Sequence, residues 1–152
     1  MIGRLLGIAC HAKPKAAMQL LPDADVTLME GIVGDFRGGL KPGRNKRQVT
    51  VMRAEDWHAA LAELGADVAW QERRVNLLVE GIALENMTGA TLRFAGGVVL
   101  EITGECDPCF RMEAVHPGLE AALTPHWRAG VCTRVTAEGR LAPGDEVRLE
   151  LP

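Results

Sequence analysis

The turn Cys106-Asp107-Pro108-Cys109 holds the side chains best suited to chemistry in this sequence. A Cys-x-x-Cys pair serves three purposes. It is half of a zinc site when two further ligands stand nearby. It is a dithiol redox couple, usually within a βαβ frame. It also presents one reactive thiol or soft-metal ligand, with the other cysteine assisting. The remaining cysteines and histidines, Cys10, Cys132, His116 and His126 among them, are scattered, with no second Cys-x-x-Cys. The local chain favours Cys109. Asp107 suits a helix N-cap and Pro108 the first helical position. Cys109 is then predicted in the first turn of a short helix through Phe110, Arg111 and Met112. A helix N-terminus and a nearby arginine lower a thiol pKa, while Asp107 opposes them. The competing reading is a buried structural cysteine. Cys10 and Cys132 fall inside predicted strands and read as core.

Two basic stretches accompany the thiol. Arg37, Lys41, Arg44, Lys46 and Arg47 fall in eleven positions with four glycines or prolines between them, and Arg53 follows. Arginine forks and glycine-exposed backbone N–H groups suit a phosphate. A solvated loop is the alternative. Arg73-Arg74-Val75-Asn76 is a second cationic point ahead of a strand. Neither Gly-x-Gly-x-x-Gly nor a P-loop is present. His11, His58, His116 and His126 form no metal pattern and read as surface or packing residues. The chain has no serine, which excludes a serine-based triad.

These residues need a frame, and the 152-residue chain is long enough to build one around a single core, expected as one domain over 1–152. Hydrophobic residues make up 47% and charged residues 24%, an ordinary globular balance. The net charge of −3 gives no global attraction for a nucleic-acid backbone. No apolar run approaches the roughly 20 residues of a membrane span. The glycine-broken start, Met1 to Ile8, does not resemble a secretory signal. The expectation is a cytoplasmic protein with free thiols and neither nucleic-acid nor membrane partners.

Strands are predicted at 5–10, 26–33, 48–53, 75–79, 91–94 and 98–103. A closing pair follows at 131–136 and 146–151. One helix is clear. Trp57, Ala60, Leu61 and Leu64 recur at helical spacing, Glu55 and Asp56 suit the first turn, and Gly65 suits the stop. Shorter helices are predicted at 108–115 and 118–123. Many short strands with glycine turns and few helices indicate a mainly β barrel with helical insertions.

Taken in order, these segments resemble the MOSC domain, named for the C-terminal domain of molybdenum cofactor sulfurase. Gly34-Asp35-Phe36-Arg37-Gly38 resembles an upstream segment that often carries histidine where Arg37 stands. Arg73 to Ile82 resembles an Arg-Arg-Asn element, with Val75 inserted before Asn76. Leu92-Arg93-Phe94 and Val98 to Gly104 resemble the strand pair that follows it. Cys106 to Glu113 resembles a Cys-x-Pro-Cys segment. Gly130 to Val135 and Pro143-Gly144-Asp145 resemble the closing motifs.

The resemblance implies a β-barrel with a cleft and a molybdenum cofactor (molybdopterin) ligated by Cys109. Arg37, Arg73, Arg74, Asn76 and Arg111 would line its phosphate or pterin. It implies a molybdenum-dependent oxidoreductase acting on small N-hydroxylated or N-oxygenated compounds with an electron-donor reductase. The alternative it implies is a persulfide carrier that receives sulfur from a pyridoxal-phosphate cysteine desulfurase. A thiolate suits both roles.

Overall fold

The computed structural model describes residues 1–40 and 45–152, so Lys41 and Arg44 of the basic loop lie outside the described residues. Eleven strands and three α-helices are present among the described residues. The strands are β1 (Ile2–Cys10), β2 (Gln19–Leu20), β3 (Ala24–Thr27), β4 (Gly31–Ile32), β5 (Val49–Arg53), β6 (Leu77–Glu80), β7 (Thr91–Phe94), β8 (Val99–Glu105), β9 (Val131–Ala137), β10 (Gly139–Leu141) and β11 (Glu146–Glu150). The helices are α1 (Ala54–Leu64), α2 (Arg111–Val115) and α3 (Leu119–Leu123). None is long and apolar enough to cross a membrane.

Seven strands close into a barrel in the order β11-β7-β8-β9-β5-β6-β1, and β1 pairs back onto β11. Closure removes the exposed edges that an open sheet would present. All the barrel pairings are antiparallel except β5 with β6. A parallel pair needs a crossover, and α1 with a 3-10 turn at Trp70–Arg73 supplies it. A small second sheet, β10-β3-β4, flanks the barrel.

Leu5, Ile8, Val51, Leu77, Val79, Leu92, Leu100, Ile102 and Val131 fill the interior. Met52, Trp57, Leu61, Leu78, Met112, Leu119 and Leu123 form a second core, between the barrel wall and the three helices. Trp57 is 2% exposed and its indole N–H donates to the Val68 carbonyl, so its polar edge is satisfied inside that core. Helix α1 matches the sequence expectation. Glu55 and Asp56 lie in its first turn, and Gly65 ends it in the left-handed conformation at φ 60°.

Three expectations fail. The strand expected at 26–33 breaks into β3 and β4, because Thr27 Oγ1 accepts the Glu30 N–H and Gly31 turns at φ 66°. The strand expected from Val75 begins at Leu77, after Arg74 turns at φ 68°. The closing strands do not pair with each other. β9 lies between β8 and β5, and β11 lies between β7 and β1.

Candidate anion-binding site

The barrel register brings distant segments to one level. Val51 pairs with Leu77, Ile8 with Leu77 and Thr50 with Cys132, and Gly104 faces Cys132 on the far side of β9. One residue ahead of β6, Asn76 ties three of these segments together. Its Oδ1 accepts the Thr50 N–H at 3.0 Å and the Thr50 hydroxyl at 3.2 Å. Its Nδ2 donates to the Ala9 carbonyl at 3.1 Å. Both ends of the amide are spent on protein, so Asn76 positions the site and has little left to give a ligand.

This end of the barrel opens into a pocket of about 180 Å³. His11, Asp35, Arg37, Arg47, Gln48, Thr50, Arg73, Arg74, Asn76, Cys109, Arg111 and Met112 line it. All six residues singled out in the sequence as thiol or cofactor contacts, Arg37, Arg73, Arg74, Asn76, Cys109 and Arg111, therefore meet there. Sequence reasoning missed His11, which it read as a surface or packing residue. It directly follows β1, and only tertiary folding carries it to Asp35.

Each cation is held differently. Arg73 is 4% exposed. Its Nε donates to the Ala129 carbonyl at 3.1 Å and its Nη2 to the Cys106 carbonyl at 3.0 Å. Arg74 owes its direction to its left-handed backbone. Burial lowers its pKa, and Arg111 and Arg37 lower it further, the mark of cations crowded together. Arg37 is carried by segment 35–38, whose backbone is pinned at both ends. The Arg37 N–H donates to Asp35 Oδ2, and Gln48 Nε2 donates to the carbonyls of Leu28 and Gly38. No residue larger than glycine fits at position 38, where a Cβ would stand 2.2 Å from the Glu30 carbonyl oxygen.

His11 is buried and Asp35 lies beside it. The His11 backbone N–H donates to Asp35 Oδ1 at 3.2 Å, and its Nδ1 lies 3.6 Å from the same oxygen. Burial lowers the His11 pKa, and Arg74, Arg37 and Arg111 lower it further against the pull of Asp35. The imidazole is therefore neutral at neutral pH. Its Nδ1 is buried without a hydrogen-bond partner.

Among the described residues, no ion pair engages Arg37, Arg47, Arg73, Arg74 or Arg111. Asp35 is the one carboxylate lining the pocket. Five arginines facing a single carboxylate leave a strong local excess of positive charge in a chain of net charge −3. Such a site selects an anion.

The thiols differ from expectation. Helix α2 begins at Arg111, not Pro108, so Cys109 precedes it and its carbonyl accepts the Met112 N–H. Cys109 therefore stands two residues ahead of the helix and not in its first turn. Cys109 is exposed, as is Phe110 beside it, at 76%. Cys106 is 2% exposed and lies against Arg73, whose Nη2 is 3.6 Å from its sulfur. Cys132 is not a sealed core residue. It is half-buried and its thiol reaches the Glu105 carbonyl at 3.9 Å.

No three His, Cys, Asp or Glu side chains among the described residues could jointly hold a metal ion. A bare ion has no cage here, which excludes the zinc reading for these residues. A metal that arrives with its own sulfur ligands needs one protein thiolate, and Cys109 offers one. The unpartnered His11 Nδ1 and the unpaired arginines also leave polar capacity for a phosphate-bearing group. The donor set therefore fits a molybdopterin-type cofactor. Ligand pockets are typically about 300–1,000 Å³. A pocket near 180 Å³ would enclose the anionic end of such a group and leave the remainder outside.

The MOSC domain family model matches residues 38–148. The fold is similar to that of the YuaD protein from Bacillus subtilis, with a TM-score of 0.84 and 21% identity over 100% of this chain and 97% of that one. It is also similar to YiiM from Geobacillus stearothermophilus, with a TM-score of 0.75 and 16% identity over 97% of this chain and 75% of that one. YiiM from Escherichia coli aligns with a TM-score of 0.71 and 15% identity, over 98% and 70% of the two chains. At these identities the likeness establishes the fold alone. No curated protein matches the sequence.

Proposed function

Since this chain belongs to the MOSC domain family, we propose that it binds the molybdenum cofactor with Cys109 as the protein thiolate ligand and reduces small N-oxygenated compounds. One observation carries the reading. Five arginines without carboxylate partners converge with an exposed thiol on one pocket. Arg37, Arg47, Arg74 and Arg111 hold the cofactor's phosphate, and Arg73 sets the potential behind them. Asp35 holds His11 in place, and the neutral imidazole would line the site beside the bound group. The exposed side of Cys109 and Phe110 is where a small substrate approaches. When bound, the cofactor supplies two-electron oxygen chemistry. Reduction of a hydroxylamine to an amine takes up two electrons and two protons and releases water, so a separate reductase must deliver the electrons.

The test is the molybdenum content of protein purified from a cofactor-competent host. Wild type is expected to carry the metal, and folded Cys109→Ser and Arg74→Glu to lose it. Metal-free wild type from such a host overturns the reading.

The exposure of Cys109 also favours a second reading, a persulfide carrier that a cysteine desulfurase can reach. Incubation with a desulfurase then adds one sulfur to Cys109 by mass spectrometry. Added sulfur on Cys10 or Cys132 instead, or none at all, rejects it.

A further inference from the structure

A second pair of thiols sits behind the pocket wall, distinct from the Cys106–Cys109 turn. Cys106 follows the last residue of β8, and its N–H donates to the Gly130 carbonyl just before β9. Gly104 pairs with Cys132 and Glu105 with Val131. Cys106 and Cys132 are therefore diagonal neighbours on adjacent antiparallel strands. The Cys132 thiol reaches the carbonyl of Glu105, the residue bonded to Cys106. On its other side the Cys106 sulfur lies 3.6 Å from Arg73 Nη2. Both are free thiols, one buried and one half-buried.

Their environments split them. The neighbouring Cys132 thiol and the Arg73 guanidinium hold the Cys106 thiol below its ordinary pKa, against the effect of burial. Cys106 and burial push the Cys132 thiol up, so it keeps its proton. A nucleophilic sulfur diagonal to a protonated one on the next strand is the arrangement of a peroxide-sensitive dithiol.

We propose that Cys106 and Cys132 form a reversible disulfide, a redox modification site that sets the charge behind the anion pocket. In the first step the Cys106 thiolate attacks hydrogen peroxide. One oxygen is transferred to give a sulfenic acid, and hydroxide leaves. In the second step the Cys132 sulfur attacks the sulfenic sulfur. The S–S bond forms, and the Cys132 proton leaves with the sulfenic oxygen as water. The sum is two thiols and one peroxide giving one disulfide and two waters. A small thiol reductant reverses it by exchange.

Arg73 touches both the Cys106 sulfur and the pocket. The disulfide removes the negative partner from one side of that guanidinium. The pocket then binds an anion more tightly, a consequence that rests on the anion-binding reading above.

The experiment is peroxide treatment of the whole protein, followed by peptide mapping without reduction. Cys106 and Cys109 share one tryptic peptide, so the mapping is run on Cys109→Ser as well as on wild type. The expected result is a loss of two hydrogens and a cross-link between the peptides 94–111 and 129–134 in both proteins, restored to free thiols by reductant. Persistence of that cross-link in Cys106→Ser, or its absence from Cys109→Ser, overturns the proposal. Inorganic phosphate is then titrated into the reduced and oxidised forms. Binding several-fold tighter to the oxidised form supports the coupling through Arg73, and equal affinity refutes it. Phosphate that binds neither form counts against the anion pocket and not against the disulfide, which the peptide map decides alone.

Discussion

The guanidinium of Arg73 lies 3.0 Å from the Cys106 carbonyl oxygen and 3.6 Å from the Cys106 sulfur. This contact joins the crossover between β5 and β6 to the end of β8. Its third acceptor, the Ala129 carbonyl, lies ahead of β9. Arg73→Ala would strand buried carbonyls, at about 1–3 kcal/mol each. A loss of about 2–4 kcal/mol is expected from urea unfolding. Arg73→Lys should recover only part of it, because an ammonium cannot span the same acceptors in one plane.

Asn76→Asp tests the positioning role of the amide. The carboxylate keeps the acceptor for Thr50 but loses the donor to Ala9. A destabilisation of about 2–4 kcal/mol is expected near neutral pH. Urea unfolding of the variant against wild type measures the penalty, and a loss below about 0.5 kcal/mol would reject the donor role.

His11 should titrate below the ordinary histidine value, mainly through burial and then through Arg74, Arg37 and Arg111. With the folded pKa depressed, the unfolded chain binds more protons below the reference value of 6.5. Acidification through that region therefore weakens the fold, by a contribution that His11→Asn removes. Inorganic phosphate in the pocket offsets the arginines and should move the His11 titration upward. The C2 proton resonance of His11, followed with and without phosphate, measures both effects. A midpoint insensitive to phosphate would separate His11 from the anion site.

Gly130→Ala tests the backbone that carries Cys106. Gly130 has φ 108°, and a Cβ there would stand 2.3 Å from the Val51 carbonyl oxygen. Strain and clash together should cost at least about 3 kcal/mol, read as a lowered unfolding midpoint. Cys109→Ser is the contrasting case. The residue is exposed, so its stability should stay within about 0.5 kcal/mol of wild type.

Much of this was legible in the sequence because it is encoded locally. The apolar spacing of Trp57, Ala60, Leu61 and Leu64 marked α1, and Gly65 marked its end. The two basic stretches and the cysteine turn, named from the sequence, supply residues that line one pocket. What was hidden depends on tertiary geometry. His11 reaches Asp35 across 24 positions, and Cys106 finds Cys132 through strand pairing, not through the nearer Cys109. Periodicity cannot reveal either contact. The onset of α2 was misplaced because cap preferences of Asp107 and Pro108 were overridden by the bond from the Cys106 N–H to Gly130, which holds the turn extended.

Strand β9 lies between β5 and β8 although it follows both in the chain. During synthesis, β5 and β8 leave the ribosome with a gap where β9 will insert. Until it does, Arg73 has no Ala129 carbonyl to bind and Cys106 has no Gly130 partner. Arg73 and Cys106 are therefore made before the strand that completes their surroundings. An anion pocket of this build is complete only in the finished barrel.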